Sequence, residues 1–205
     1  MFFIVEVLII RGVENTQLIS DVQRLSDSLG QLPEPVAKPV LIVVSGLPGT
    51  GKSYFCSQLA ERLPVVILES DALRKALFSS PSYSLQESSR LFRVCHLLIE
   101  RLLKKGMSLI FDATNLSERN REHLYSIADR LDVKLILVRV EAPPQVVYQR
   151  LKARGEESES KSDADWMVYR RMKPAVEKIC RNYYAVDTSR DIAPVLDKIV
   201  RQVIR

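Results

Sequence analysis

Residues 46–53 read GLPGTGKS and directly follow the apolar run VLIVVS at residues 40–45. The segment matches the pattern G-x-x-x-x-G-K-[ST], whose fixed places are filled by Gly46, Gly51, Lys52 and Ser53. An apolar strand before this pattern and an amphipathic helix after it form the context in which it binds phosphate. The chain is therefore constrained to contain a strand–loop–helix unit that binds a nucleoside triphosphate.

Each residue type in the loop has a chemical reason. Glycines let main-chain N–H groups curl around phosphate oxygens, and the helix that begins near Gly51 adds its positive end. Lys52 is expected to reach the β- and γ-phosphates and to be catalytic, and the Ser53 hydroxyl can ligate Mg²⁺. We predict that ATP contacts Gly46, Leu47, Pro48, Gly49, Thr50, Gly51, Lys52, Ser53 and the following Tyr54.

Short apolar runs alternate with amphipathic segments along most of the chain. Strands are predicted at 40–45, 65–68, 107–112, 134–140 and 183–187. Helices are predicted at 52–62, 71–78, 85–105, 117–131, 144–154, 163–181 with an interruption near Pro174, and 191–204. Such alternation is typical of βαβ units, in which helices cover both faces of a buried parallel sheet. The predicted fold class is α/β: a three-layer P-loop NTPase fold with a mostly parallel five-stranded sheet.

Residues 1–38 are predicted to form an extension to the domain that contains the phosphate-binding loop, at 39–205. The extension consists of an apolar arm at 1–10, an amphipathic helix at 16–29 and a proline-rich linker at 32–39. One face of the helix carries Leu18, Ile19, Val22, Leu25 and Leu29. The arm contains Glu6 and is shorter than the ~20 residues that span a bilayer, so no membrane role is expected. It could be a packing strand, could mediate self-association through residues 1–30, or could follow from a start codon assigned too far upstream.

The formal net charge of the 205 residues is +5, which favours acidic ligands such as nucleotides and tolerates nucleic acid. The three cysteines, Cys56, Cys95 and Cys180, are far apart and lack the spacings of disulfide frameworks or zinc sites. A reducing, cytoplasmic location is therefore expected.

Asp71 and Arg74 lie just past the carboxyl end of the predicted strand 65–68. Ligands of open α/β sheets bind at that edge. A carboxylate there can accept the proton of an attacking hydroxyl, and an arginine about one turn later can hold an anionic part of the acceptor. The alternative is that Ser70 or Asp71 only caps the following helix.

Asp112 ends the predicted strand 107–112, where a carboxylate can orient Mg²⁺ or its waters. Thr114 and Asn115 follow it and could bind substrate or cap the next helix, for which Ser117 is an equally good cap. Arg119 is kept as a candidate substrate ligand. On general grounds, however, both Arg119 and Arg121 are expected to be solvated helix charges.

Arg150 and Arg154 are four residues apart, hence on one helix face, and precede the polar segment GEESESKSDAD at 155–165. That segment is expected to be a mobile loop within a lid at about 150–173. The two guanidinium groups could close on the triphosphate, or could simply be solvated at a helix end.

Aromatic and imidazole side chains give weaker indications. Trp166 and Tyr169 are expected to pack, although they could stack a base. His96 and His123 are expected to be structural, because no second metal-type ligand lies at a regular spacing from either.

Taken together, GLPGTGKS, SDALR, FDATNL-SER and YQRLKAR resemble the 5′-kinase domain of polynucleotide kinases and the related zeta-toxin-like kinases, over about Val40 to Lys178. The resemblance implies that Asp71 is the general base and that Arg74 contacts the acceptor's phosphate. It also implies that Arg150 and Arg154 are lid arginines facing the ATP phosphates, with Arg150 catalytic.

The expected function is transfer of the γ-phosphoryl group from ATP and Mg²⁺ to a hydroxyl acceptor. The resemblance favours the 5′-hydroxyl end of a nucleic acid as that acceptor, and a small metabolite, nucleoside or sugar nucleotide is the alternative. An ATP-dependent switch that binds a partner through residues 1–30 is an alternative of another class. A GTPase switch is disfavoured, because no NKxD-type guanine signature is present.

Overall fold

A computed structural model describes residues 16–156 and 162–204. Its centre is a sheet of five strands, all parallel, in the order β2-β3-β1-β4-β5. The strands are β1 (Val40–Ser45), β2 (Val66–Glu69), β3 (Leu109–Asp112), β4 (Lys134–Glu141) and β5 (Tyr184–Asp187). All six residues of β1 are buried, as expected for the central strand of a sheet covered on both faces. The predicted five strands are confirmed.

The helices connect these strands and cover the sheet. They are residues 16–27 (α1), α2 (Lys52–Ala60), α3 (Ser70–Leu77), α4 (Leu85–Lys104), α5 (Glu118–Arg130), α6 (Pro144–Glu156), α7 (Ser162–Met172) and α8 (Ala193–Ile204). The prediction of one interrupted helix over 163–181 is wrong beyond Met172. A short 3₁₀ helix, Lys173–Ala175, follows α7, and irregular chain continues from it. Pro174 lacks the N–H group that an α-helix would need there.

Alternate residues of β1 point into two separate cores, which makes the fold a three-layer one. Ile42 and Val44 pack with Phe55 of α2 and Leu196 of α8. Leu41 and Val43 pack in the opposite core, to which α1, α4 and α5 contribute. The predicted three-layer α/β architecture is confirmed.

Helix α1 packs on the same face as α4. Leu18, Val22 and Leu25 are buried, whereas Ile19 is 66% exposed, so its assignment to the buried face is wrong. Arg90 of α4 donates two 2.8 Å hydrogen bonds to the carboxylate of Asp21. The predicted arm at 1–10 lies outside the described residues. Within the described part of the chain, no helix is long and apolar enough to cross a membrane.

Candidate functional site

The phosphate-binding sequence forms a closed loop between β1 and α2. The Gly46 N–H group donates to the Thr114 carbonyl at 3.1 Å, and Thr50 Oγ1 donates to the Leu47 carbonyl at 2.8 Å. Gly51 has a φ of 90°, a left-handed conformation that disfavours other residues. At Gly46 a Cβ atom would lie 2.4 Å from the Val140 carbonyl oxygen. The loop geometry therefore depends on glycine at both places.

Lys52 and Asp112 lie close together at the carboxyl edge of the sheet. Lys52 Nζ donates to the Leu47 carbonyl at 3.1 Å, and Ser53 Oγ donates to Asp112 Oδ2 at 2.7 Å. Burial lowers the pKa of Lys52, while the charges of Asp112 and Asp71 oppose that shift. Burial raises the pKa of Asp112, against the hydrogen bond from Ser53 and the charge of Lys52. One cation and two carboxylates thus surround the open end of the loop.

Asp71 lies in the first turn of α3, two residues beyond the end of β2. Glu69 of β2 is paired with Asp112 of β3, so the two strand ends are adjacent. Asp71 is exposed, and the residue at the N-cap position of α3 is Glu69, without a side-chain cap bond. The capping role that was the alternative for Ser70 or Asp71 is therefore not observed. The carboxylate of Asp71 is open to solvent at the same edge as Lys52.

Arg74 lies in a buried ion pair with Glu87 of α4. Its second terminal nitrogen donates to Ser88 Oγ at 3.2 Å, and its guanidinium carbon lies 4.8 Å from the centre of the Tyr83 ring. Burial of Glu87 opposes its ionisation, but hydrogen bonds from Ser82 and Arg74 lower its pKa to about 2. An anionic acceptor that binds Arg74 would therefore compete with an internal carboxylate.

Thr114 and Asn115 lie in the loop after β3 and contact β1. Asn115 is buried in a left-handed conformation with a φ of 44°, and its Nδ2 donates to the Val44 carbonyl at 2.8 Å. The Thr114 carbonyl accepts from Gly46 N and from Ser45 Oγ. Ser117 is at the N-cap position of α5, but its side chain makes no cap bond. Both loop residues contact the base of the phosphate loop, and Arg119 is exposed.

Arg121 is buried, so its interpretation as a solvated charge is wrong. Only 1% of it is exposed, and its guanidinium group contacts Glu118, Asn115 and the main chain at 177 and 178. Its spacing from Leu124 and Ala128 places it on the buried face of α5. That spacing was the signal for burial in the sequence. The prediction followed instead the general preference of arginine for the surface.

Arg150 and Arg154 lie on α6, on the side of the phosphate loop that faces β5. Arg150 donates to Thr188 Oγ1 at 2.8 Å and to the Thr188 carbonyl at 2.9 Å. Thr188 Oγ1 in turn donates to the Thr50 carbonyl at 2.6 Å. Arg154 is exposed, and its charge contributes to lowering the pKa of Lys52. Thr188, which the sequence analysis did not single out, thus connects Arg150 to the loop.

Helices α6 and α7 pack on the phosphate loop through an apolar cluster of Leu47, Leu116, Val147, Leu151 and Tyr169. Trp166 stacks on Tyr169 at a centroid distance of 4.9 Å. The packing role expected for this pair is therefore observed. The polar loop expected to make the lid mobile falls partly on residues 157–161, outside the described part, and mobility of the lid stays a prediction.

A cavity of about 500 Å³ lies beside the phosphate loop. Gly46, Leu47, Arg139, Lys173 and Glu177 are among its lining residues. Lys52, Asp71 and Asp112 are not among its lining residues, so this cavity does not include the charged groups at the open end of the loop.

Comparison with known proteins gives a family match over most of the chain. The model of the family described as "AAA domain" matches residues 41–179. A UPF0200 protein of Saccharolobus islandicus is 29% identical over 131 residues, which cover 59% of this chain and 68% of that protein.

Two kinases are also similar. The L-seryl-tRNA(Sec) kinase of Methanococcus maripaludis is 27% identical over 122 residues, or 57% of this chain, which spans about half of that kinase (47%). The Mycobacterium tuberculosis APS kinase, solved with AMPPNP and APS, superposes with a TM-score of 0.61 at 16% identity. The superposition covers 84% of this chain and 100% of the APS kinase, which establishes a shared fold.

Proposed function

The chain belongs to the AAA-domain family, and we propose that it is a kinase that transfers the γ-phosphoryl group of ATP to a hydroxyl acceptor. The observation that carries the proposal is the meeting of Lys52, Asp112 and Asp71 at the open end of the phosphate loop. Phosphoryl transfer needs mainly positioning and electrostatic stabilisation, which this arrangement can supply.

In this proposal the loop residues 46–53 and Tyr54 bind ATP. Main-chain N–H groups of the loop and the start of α2 contact phosphate oxygens, and Lys52 neutralises charge on the β- and γ-phosphates. Arg150 and Arg154 of α6 stabilise the charge that moves with the γ-phosphoryl group. For Arg150 this requires that the guanidinium exchange part of its contact with Thr188 for a phosphate oxygen.

Ser53 and Asp112 would hold Mg²⁺. Among residues 16–156 and 162–204, no group of three or more His, Cys, Asp or Glu side chains could hold a metal by itself. Mg²⁺ usually takes one or two carboxylates and completes its shell with water and substrate phosphates, so a hydroxyl and a carboxylate 2.7 Å apart fit it. When bound, Mg²⁺ would neutralise charge on the phosphates.

Asp71 acts as the general base. Its carboxylate is exposed beside Lys52 and can take the proton of the acceptor hydroxyl as that oxygen attacks the γ-phosphorus in line. The bond from the γ-phosphorus to the bridging oxygen of ADP breaks, and ADP leaves. Thr114, Asn115 and Arg119 are kept as candidate acceptor ligands, and Arg119 is the exposed one of these three.

The favoured acceptor is a 5′-hydroxyl polynucleotide, in which Arg74 would contact the first phosphate. One relative is an L-seryl-tRNA(Sec) kinase, and this likeness supports an acceptor carried by nucleic acid. The burial of Arg74 against Glu87 favours the second candidate, a small hydroxyl compound with no phosphate to bind. Self-association through residues 1–30 is a separate prediction, and residues 1–15 of that segment lie outside the described part of the chain.

The test uses γ-labelled ATP and a panel of 5′-hydroxyl oligonucleotides, nucleosides and sugars, with Lys52→Ala as the inactive control. Labelled product from one acceptor class would support the proposal, and ATP binding without any transfer would contradict it. Salt separates the candidates: the KM for a polynucleotide should rise steeply with salt because its neutralised phosphates release counterions. A KM that is insensitive to salt would favour the small acceptor.

A further inference from the structure

Arg121 of α5 uses all three of its guanidinium nitrogens inside the protein. Nε donates to Glu118 Oε2 at 2.7 Å, and one terminal nitrogen donates to the Asn115 carbonyl at 2.5 Å. The other terminal nitrogen donates to the carbonyls of Glu177 and Lys178, at 3.1 Å and 2.9 Å. Only 1% of the residue is exposed. One side chain therefore contacts two separate stretches of the chain, at 115–118 and at 177–178.

The first of these stretches supports the phosphate loop. The Asn115 carbonyl accepts from Arg121 and also from Ser45 Oγ at 3.1 Å. Ser45 is the last residue of β1, and the next residue, Gly46, donates its N–H group to the Thr114 carbonyl. Through the Asn115 carbonyl, Arg121 is thus linked to Ser45, the residue that precedes the loop.

The second stretch is the return segment, defined here as residues 176–180, which leads from α7 and its 3₁₀ helix towards β5. The Glu177 N–H group donates to the Leu116 carbonyl at 3.0 Å, and Glu177 Oε2 accepts from Glu118 N at 2.6 Å. The Cys180 N–H group donates to Glu118 Oε1 at 3.3 Å. The return segment is therefore bound along the start of α5, with Arg121 beneath it.

We propose that Arg121 is a positioning residue that couples the phosphate loop to the return segment of the α6–α7 pair. It touches no substrate and acts through the Asn115 carbonyl and Ser45 on one side and through the carbonyls of Glu177 and Lys178 on the other. The consequence for activity rests on the proposed function, because it assumes that the loop binds ATP. The coupling between the loop and the return segment does not depend on that assumption.

Arginine is required here by geometry. Its planar group offers donors in several fixed directions, whereas lysine presents a compact charge at the end of a flexible stem. Lysine at this position could keep the charge opposite Glu118 but could not reach Asn115 and the return segment together. Arg121→Lys therefore removes the coupling while it leaves the half-buried carboxylate of Glu118 paired with a cation.

The experiment compares Arg121→Lys with Arg130→Lys, a matched change on the same helix at an exposed ion pair with Glu100. Amide hydrogen exchange is measured in the protein without nucleotide, and the affinity for AMPPNP with Mg²⁺ is measured by calorimetry. We expect Arg121→Lys to speed exchange at both 45–51 and 176–180 and to weaken AMPPNP binding by about tenfold, since small misplacements are costly. Arg130→Lys should change neither.

The outcomes separate the two proposals. Unchanged exchange at 45–51 in a folded Arg121→Lys protein would overturn the coupling, whatever the nucleotide result. Failure of the unaltered protein to bind AMPPNP would overturn the proposed function and leave the exchange comparison to decide the coupling. If Arg121→Lys does not fold, the unaltered protein decides: AMPPNP should slow exchange at 176–180 as well as at 46–53, and protection of the loop alone would refute the inference.

Discussion

Ser53 Oγ donates a 2.7 Å hydrogen bond to Asp112 Oδ2, which joins the first turn of α2 to the end of β3. Both oxygens lie at the carboxyl edge of the sheet, beside Lys52. A divalent cation held by these two oxygens would take the place of this hydrogen bond, with the serine hydroxyl keeping its proton. This one contact carries the metal hypothesis.

Asp112→Asn should raise the Mg²⁺ concentration needed for half-maximal activity by about tenfold, because an amide is a weaker ligand than a carboxylate for a hard cation. A magnesium titration of transfer rate measures the effect. Asp132→Asn, at an exposed turn position with a left-handed φ that asparagine tolerates, is the control. Equal magnesium dependence in both variants would contradict the role of Asp112.

Lys52→Ala should abolish transfer and weaken ATP binding, because it removes the cation that faces the β- and γ-phosphates. The loss in turnover should be about a hundredfold or more, as for other groups that stabilise transition-state charge. Calorimetry with ATP and Mg²⁺ measures binding, and Lys75→Ala on the exposed side of α3 is the control. Retention of wild-type affinity by Lys52→Ala would exclude the assigned role.

Asp71→Asn should abolish transfer but leave ATP affinity within about twofold, because general-base assistance acts only on the acceptor proton. Single-turnover transfer and equilibrium binding of AMPPNP give the two quantities. Near wild-type turnover in this variant would show that another group takes the proton, or that none needs to.

Glu87 should contribute to acid sensitivity of the fold. Its folded pKa is about 2, below the ordinary value of 4.5, so the unfolded chain binds its proton first as the pH falls. Its stabilising contribution is therefore complete above pH 4.5 and is lost between about 4.5 and 2. Glu87→Gln should lower the urea midpoint at pH 7 and flatten the loss in that window, whereas Glu61→Gln, an exposed control, should do neither.

His96 should add a second pH dependence at milder acidity. Burial, together with the charge of His123, lowers its pKa from 6.5 to about 4, and the two rings lie 5.3 Å apart. The unfolded chain therefore binds the proton of His96 before the folded chain does, and the free energy of unfolding falls as pH drops from 6.5 to about 4. Replacing His96 with Gln should reduce that slope in urea unfolding measured across this range. A slope unchanged by the substitution would refute the contribution of His96 to this pH dependence.

Sequence patterns predicted the regular parts of this molecule well. Local signals predicted the loop at 46–53 and the five strands. These signals are the glycine spacing, the GKS triplet, and apolar runs that are long enough for strands but too short for helices. Predictions about single charged side chains were less successful. Arg121 was expected in solvent and is buried, and the ion pair of Arg74 with Glu87 was not predicted. Substrate binding by Arg74 stays a prediction.

The sequence by itself determined that the strands form a parallel sheet and that a glycine-rich loop connects β1 to α2. Both follow from main-chain conformation and apolar periodicity, which are properties of neighbouring residues. Only the tertiary structure decided the distant partners of three arginines: Glu87 for Arg74, the Lys178 carbonyl for Arg121 and Thr188 for Arg150, which lie 13 to 57 residues away. The residues next to an arginine in the sequence favour its solvated and its paired state about equally. The choice depends on which carboxylate or carbonyl groups the fold brings within reach, and no local pattern records that.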